Sequence, residues 1–105
     1  MNIEHNGETL RVVFSQYLSN GNTCMSLLTV DNEPYATATT NPGSPMDEDF
    51  VAIKNWTENT GIDASLIKAG LIEEFPVTNL PSGMVRIPIY RLTEKAIALR
   101  DQETE

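Results

Sequence analysis

The spacing of hydrophobic residues predicts a β-strand over residues 9–18. One face of this stretch is apolar, and its members are Leu10, Val12, Phe14 and Leu18. Such alternation has the two-residue period of a half-buried strand. Asn20-Gly21 follows, and this dipeptide favours a hairpin because both residues tolerate a positive φ. Residues 1–7 precede this pattern and are expected to form a loose, flexible start.

Two further strands complete a predicted three-stranded antiparallel meander. Residues 23–30 have the composition of the returning strand, and residues 35–40, which are rich in Tyr and Thr, form the third. The turn between them is expected at residues 31–34, where an asparagine and a proline suit a reversal of the chain. The prolines of residues 41–45 then end the sheet, because proline cannot donate to a β-ladder.

A helical period replaces the alternation in the middle of the chain. Ile62, Leu66 and Ala69 recur at helical spacing, which predicts a helix over residues 57–69 with one face packed on the sheet. Gly70 suits the left-handed residue that commonly ends a helix. A short strand over residues 50–53 is expected before this helix.

The last third of the chain predicts two more strands and a final helix. The strands are expected at residues 71–77 and 84–92, with a connection at 79–83, and the helix at 93–100. Residues 101–105 are expected to be frayed. The predicted fold is therefore α+β in one domain: an antiparallel sheet of about five strands, one packed helix and a short C-terminal helix.

Charge is the feature of the sequence that bears on function. The chain has 15 acidic and 7 basic residues, a net charge of −8. Residues 31–63 contain seven acids and one base, Lys54, so that this third alone has a net charge of −6. Such an excess suits a basic partner protein and disfavours direct binding to nucleic acid or to anionic lipid. The residues predicted to contact the partner are Asp31, Glu33, Asp47, Glu48, Asp49 and Trp56.

Two acids and one aromatic residue of this region also have a structural explanation. Glu58 and Asp63 fall near the expected helix start, where negative charge is favoured by the helix dipole. Trp56 is expected to be buried between helix and sheet; partly exposed, it would instead anchor an interface.

The sequence contains no pattern that indicates a catalytic site or a metal site. His5 is the single histidine, lies in the expected loose start and is predicted to be exposed and non-catalytic. Asp47-Glu48-Asp49 has oxygen ligands suited to calcium or magnesium, but the pattern of a calcium-binding loop is missing. We therefore expect no enzyme activity, no metal and no cofactor. A carboxylate- or metal-dependent small enzyme stays open as an alternative.

Cysteine content and hydropathy indicate the cellular setting. Cys24 is the only cysteine, so no internal disulfide can form, and it is expected to be a small buried residue. No apolar run is long enough to span a membrane, and the N-terminus has no signal-peptide pattern. These features suit a cytoplasmic location.

Five stretches of the chain resemble a known family. They are Tyr17-Leu18-Ser19-Asn20-Gly21-Asn22, residues 31–39, Asn41-Pro42-Gly43, residues 51–56 and Ala69-Gly70-Leu71-Ile72. Together they look like a family of small acidic proteins of unknown function carried by phages, plasmids and conjugative elements. The stretches are turns and strand edges, so no functional residues carry over from the family.

The resemblance implies a partner class. Small acidic phage proteins without an enzyme site are often inhibitors of host defence, and anti-CRISPR proteins are among them. Some occupy the basic channel in which nucleic acid would lie. The expected function is therefore inhibition of a host nucleic-acid-binding complex, such as a CRISPR effector, by a nucleic-acid-mimicking acidic face. An accessory or regulatory role in the mobile element is the alternative.

Overall fold

The computed structural model describes residues 1–104 and has an α+β fold with antiparallel sheets, as predicted. Its seven strands divide between two sheets. The strands are β1 (Asn2–His5), β2 (Glu8–Gln16), β3 (Thr23–Leu28), β4 (Pro34–Thr37), β5 (Phe50–Ala52), β6 (Thr78–Ser82) and β7 (Val85–Arg91). The helices are α1 (Ile62–Lys68) and α2 (Glu94–Thr104), and a 3₁₀ turn covers Thr57–Asn59.

The first sheet is a four-stranded meander in the order β1-β2-β3-β4. The expectation of a loose start is wrong, because β1 pairs with β2 through a two-residue turn between His5 and Glu8. Asn6 and Gly7 form that turn with φ values of 52° and 80°, as a tight hairpin of the favoured twist requires. β1 therefore adds a fourth strand to the predicted meander.

The hairpin predicted at Asn20-Gly21 forms with a longer loop. Tyr17 N–H donates to Asn22 C=O at 2.9 Å, and Gly21 N–H donates to Tyr17 C=O at 2.8 Å. Within this loop only Gly21 has a positive φ, 76°. Leu18, predicted to lie on the apolar face of the strand, lies in the loop instead and is fully exposed.

The second sheet has the order β5-β7-β6. The strand predicted at 71–77 is wrong: this stretch contributes only an isolated bridge, and β6 falls largely on the expected connection. Gly83, with φ 61°, starts the two-residue turn into β7. Pro88 ends the pairing of β5 with β7. Ile53 N–H donates to Pro88 C=O at 3.0 Å, but proline has no N–H that could donate a hydrogen bond back to Ile53.

A bridge between Thr39 and Ile53 joins the two sheets. Thr40 N–H donates to Ala52 C=O and Lys54 N–H donates to Ala38 C=O, both at 2.9 Å. The main core therefore runs through both sheets. Its largest fully buried side chains include Leu10, Met25, Leu27, Ile53, Leu66 and Leu92.

Helix α1 is shorter than predicted but uses the predicted face. It begins at Ile62 after Gly61, whose φ is 86°, and it ends before Gly70, whose φ of 76° is the expected left-handed termination. Ile62 and Leu66 are fully buried, and Ala69 packs against the same core. The 3₁₀ turn takes the place of the first predicted helical residues.

Helix α2 extends to Thr104, where residues 101–105 were expected to be frayed; Glu105 lies outside the described residues. Thr93 anchors its start, because the Thr93 hydroxyl donates to Gly70 C=O at 2.6 Å and accepts from Ala96 N–H at 3.2 Å. Near its end, Glu103 accepts the N–H of Phe14 at 2.5 Å. This carboxylate occupies the edge of β2 beyond the reach of β1.

Replacing Leu66 by alanine should lower the free energy of unfolding by about 3 kcal/mol, because it opens a cavity in a fully buried site. Leu18→Ala is the matched control: Leu18 is fully exposed, so its replacement should change stability by about 0.5 kcal/mol or less. Urea denaturation followed by circular dichroism measures both values. Equal effects of the two substitutions would contradict the placement of α1.

Candidate functional site

The acidic residues predicted to form one face lie in two separate places. Asp31 and Glu33 occupy the turn after β3. The loop of Asp47 to Asp49 lies at the other end of that strand, because Thr23, the first residue of β3, donates its hydroxyl to Glu48 C=O at 3.0 Å. Five residue steps of β3 separate the two ends by about 17 Å. The structure therefore does not combine these five carboxylates into one patch.

Arg100 of α2 engages the acidic loop directly. Its side chain is 5% exposed, and it donates to Asp49 Oδ1 at 2.9 Å and to Glu48 C=O at 2.5 Å. Asp101 Oδ1 lies 2.9 Å from Arg100 Nη2. Burial lowers the pKa of the guanidinium, but the hydrogen bonds to Asp49 and Asp101 outweigh this and raise it overall. Asp49 is therefore primarily a structural partner of Arg100.

Asn22 positions the chain that leads into the acidic loop. Its side chain is almost fully buried; Oδ1 accepts the N–H of Met46 at 2.7 Å, and Nδ2 donates to Ser44 C=O at 2.8 Å. Asp47, one residue further on, is exposed and accepts the N–H of Asp49 at 2.9 Å. Both ends of the loop are thus fixed, and the Asp47 carboxylate remains at the surface.

A second apolar cluster covers the outer face of the second sheet. Its buried centre consists of Ala52, Ile87 and Ile89. Around this centre pack four half-buried side chains, which we call the Trp56 surface: Met46, Phe50, Trp56 and Leu80. Trp56 is thus half-buried and not enclosed beneath the helix as expected. Tryptophan is one of the residue types enriched among the side chains that contribute most to binding at protein interfaces.

Charged residues border the Trp56 surface. Arg91 lies over the ring of Phe50, with 6.0 Å between its guanidinium carbon and the ring centroid. Lys54 Nζ pairs with Glu58 Oε1 at 2.8 Å. The hydrogen bonds from Lys54 and then Thr57 lower the pKa of Glu58 to about 2. The loop of Asp47 to Asp49 leads directly into Phe50, so the predicted residues Asp47, Glu48, Asp49 and Trp56 share this region of the molecule.

His5 is buried, which corrects the expectation that it is exposed. Its Nδ1 lies 2.8 Å from Ser65 Oγ, and Asn6 Nδ2 lies 3.3 Å from its Nε2. With Asn6 donating to Nε2, the ring proton is on Nδ1 and points at Ser65. A serine nucleophile needs the opposite polarity, with its hydroxyl donating to the base. The contact therefore packs β1 against α1. The Asn6-Gly7 turn signal, unused in the sequence analysis, would have placed His5 inside with Ile3.

Asp63 has a structural role at the start of α1. Tyr90 Oη donates to its Oδ2 at 3.1 Å, and Asn55 Nδ2 donates to the same oxygen at 3.2 Å. Burial, followed by the Asp63 charge, raises the pKa of Tyr90 to about 12. Burial also raises the pKa of Tyr17 to about 12. Both phenols are therefore held in the neutral form.

Residues 1–104 contain no group of three or more His, Cys, Asp or Glu placed to hold a metal ion. None of their helices has both the length and the apolar character needed to cross a membrane. Cys24 is free and buried, as predicted.

Replacing Arg100 by alanine should lower the free energy of unfolding by about 2–3 kcal/mol, because it leaves Asp49 and the Glu48 carbonyl without their buried donor. Lys54→Ala is the control, since this ion pair is exposed to solvent and its loss should change stability far less than Arg100→Ala does. Chemical denaturation at neutral pH measures both. An Arg100→Ala effect as small as that of the control would show that the loop does not depend on this contact.

Stability should fall as the pH rises from about 10 to about 12. Unfolded tyrosine loses its proton near pH 10, whereas Tyr17 and Tyr90 titrate at about 12 in the folded protein. Between these values the unfolded state binds fewer protons, so alkali favours unfolding. Absorbance at 295 nm should show the late titration, and Tyr90→Phe should remove part of it. A titration complete by pH 11 would contradict the burial of both phenols.

No protein-family model matches this chain, and comparison with curated proteins and with solved structures finds no similar protein.

Proposed function

We propose that this protein is a small acidic binding protein that engages a basic, nucleic-acid-binding protein through the Trp56 surface. The observation that supports this most is the half-buried cluster of Met46, Phe50, Trp56 and Leu80 on the outer face of the second sheet. An apolar centre with a charged border is the usual anatomy of a protein interface.

The charge of the chain supports a basic partner. The net charge of −8 attracts a cationic surface over a distance and speeds encounter. Near the Trp56 surface, Asp47 is exposed, and among residues 1–104 no basic side chain pairs with its carboxylate. Charge thus selects the partner, while the apolar side chains supply most of the affinity.

The family resemblance supports a partner in host defence. In a phage or plasmid setting, a basic nucleic-acid-binding protein of the bacterial cytoplasm is the expected target, and a CRISPR effector is the first candidate. The binding mode differs from that expected from sequence, since Asp31 and Glu33 lie away from the acidic loop. The proposed contact set keeps Asp47 and Trp56 and leaves out the β3–β4 turn.

The dimensions of the domain limit how much nucleic acid it can replace. Its principal axes measure 33 × 32 × 24 Å. Duplex DNA of that length carries about 20 phosphate charges, at one per about 1.7 Å. The chain has only 15 acidic residues, and Asp31 and Glu33 lie at the opposite end of β3 from the loop of Asp47 to Asp49. The protein therefore suits a short basic pocket or narrow channel better than a long duplex-binding surface.

A plasmid-interference assay in cells carrying defined CRISPR systems tests this proposal. Expression of the protein should restore transformation by a targeted plasmid in at least one system. Trp56→Ala and Asp47→Lys should each reduce this restoration about tenfold or more, because one removes an anchor and the other places like charges in contact.

The double variant Asp31→Lys, Glu33→Lys is the control, because it reverses more charge than Asp47→Lys but at the opposite end of β3. It should keep most of the inhibitory activity. Circular dichroism confirms that each variant is folded. Loss of activity in this control, with full activity of Asp47→Lys, would place the binding site at the β3–β4 turn and refute the proposed surface. No restoration in any system would refute a CRISPR effector as partner.

A further inference from the structure

The segment before β6 exposes two large apolar side chains only two positions apart in the chain. Phe75 is 75% exposed and Val77 is 54% exposed. Glu73, Glu74 and Pro76 beside them are also exposed. We call residues 73–77 the anchor segment. Exposed apolar side chains cost free energy in water, and where several lie together, as Phe75 and Val77 do beside the Trp56 surface, the patch marks a contact with another molecule.

The free edge of β6 is poorly suited to pairing with a strand of another molecule. Pro88 turns its carbonyl toward β5, where it accepts from Ile53 N–H. Asn79 stands opposite Pro88, so its backbone groups point away from β7, to the free edge. By alternation Pro81 faces the same edge, and it has no N–H to donate. Any partner at this edge must therefore be recognised mainly by side chains.

The anchor segment continues the Trp56 surface. Glu73 N–H donates to Arg91 C=O at 2.9 Å, next to the bridge of Ile72 with Leu92. On the other side of β7, Arg91 pairs with Phe50. Phe50, Arg91 and Glu73 thus lie on three adjacent stretches of chain, about 10 Å from first to last at the usual strand spacing. One partner can cover both regions.

We propose that the anchor segment docks on a basic protein surface and inserts Phe75 into an apolar pocket whose rim carries Arg or Lys. The chemistry is complementary, because Glu73 and Glu74 directly precede Phe75 in the chain and, within residues 1–104, neither pairs with a basic side chain within 4 Å. A second copy of this chain suits the segment less well, since both copies would bring a net charge of −8. This inference rests on the proposed function and specifies more of the contact.

Nuclear magnetic resonance with ¹⁵N-labelled protein tests the inference with two synthetic 15-residue peptides. Both contain the same number of Arg and Lys; one has Leu at the remaining positions and the other has Ser. The Arg/Lys/Leu peptide should bind at least tenfold more tightly, and the largest shift changes should fall on residues 73–77 and on the amides of Phe50 and Arg91. Equal affinities, no binding, or shifts centred on residues 31–33 would overturn the inference.

Matched variants separate the ring from the charge. Phe75→Ser should weaken binding of the Arg/Lys/Leu peptide about tenfold or more, whereas Leu18→Ser, at another fully exposed apolar position, should leave it unchanged. The pair Glu73→Lys, Glu74→Lys should weaken binding more than Asp31→Lys, Glu33→Lys, which reverses the same charge elsewhere. Equal effects within either comparison would overturn the inference, because all six positions are exposed and tolerate substitution.

The interference assay distinguishes failure of this inference from failure of the proposed function. If the protein inhibits, Trp56→Ala abolishes inhibition and Phe75→Ser inhibits as strongly as the unaltered chain, the proposed function stands and the anchor segment is refuted. If the unaltered chain neither inhibits nor binds the Arg/Lys/Leu peptide, both fail. Loss of inhibition by folded Phe75→Ser, with Leu18→Ser fully active, supports both.

Discussion

The buried guanidinium of Arg100 is the contact on which the arrangement of this molecule depends. It joins the last helix to the loop that leads into β5, through Asp49 and the Glu48 carbonyl. A desolvated arginine is stable only when its donors are satisfied, so the acidic loop is held close to α2. The same loop delivers Phe50 to the outer face of the second sheet. The ion pair between Arg100 and Asp49 thus connects the position of α2 to the position of the Trp56 surface.

The contact between Arg100 and Asp49 shows that part of the negative charge of the chain stabilises the fold. Asp49 stabilises the fold, as do Asp63 beside Tyr90 and Glu103 on the edge of β2. A local count of acids cannot reveal this, because Asp49 and its partner Arg100 are 51 positions apart in the chain. The carboxylates left for recognition are those at the surface without an internal partner. They lie in several places, so position decides their function more than number does.

The sequence predicted those parts of the fold in which local pattern and tertiary burial agree. β2 and the buried face of α1 follow directly from hydrophobic spacing, and β3 follows from the composition of its residues. β1 was missed although Asn6-Gly7 carries the same hairpin signal as Asn20-Gly21, because residues 1–7 are too few to show alternation. β6 was missed because its pattern is polar and interrupted by Pro81, and it exists only through pairing with β7. Of the predicted site, the structure keeps Trp56 near the acidic loop and separates Asp31 and Glu33.

The exposed apolar residues bear on the proposed binding function through their positions. Leu18, Val30 and Met84 are exposed singly, as is ordinary for a protein surface. Phe75 and Val77 instead lie together in a segment that is hydrogen-bonded to Arg91, next to the Trp56 surface. A protein that bound its partner by charge alone would need its carboxylates together and would gain nothing from these apolar side chains. A protein that binds by apolar anchors needs only enough charge to choose a cationic partner, and dispersed carboxylates are sufficient for that.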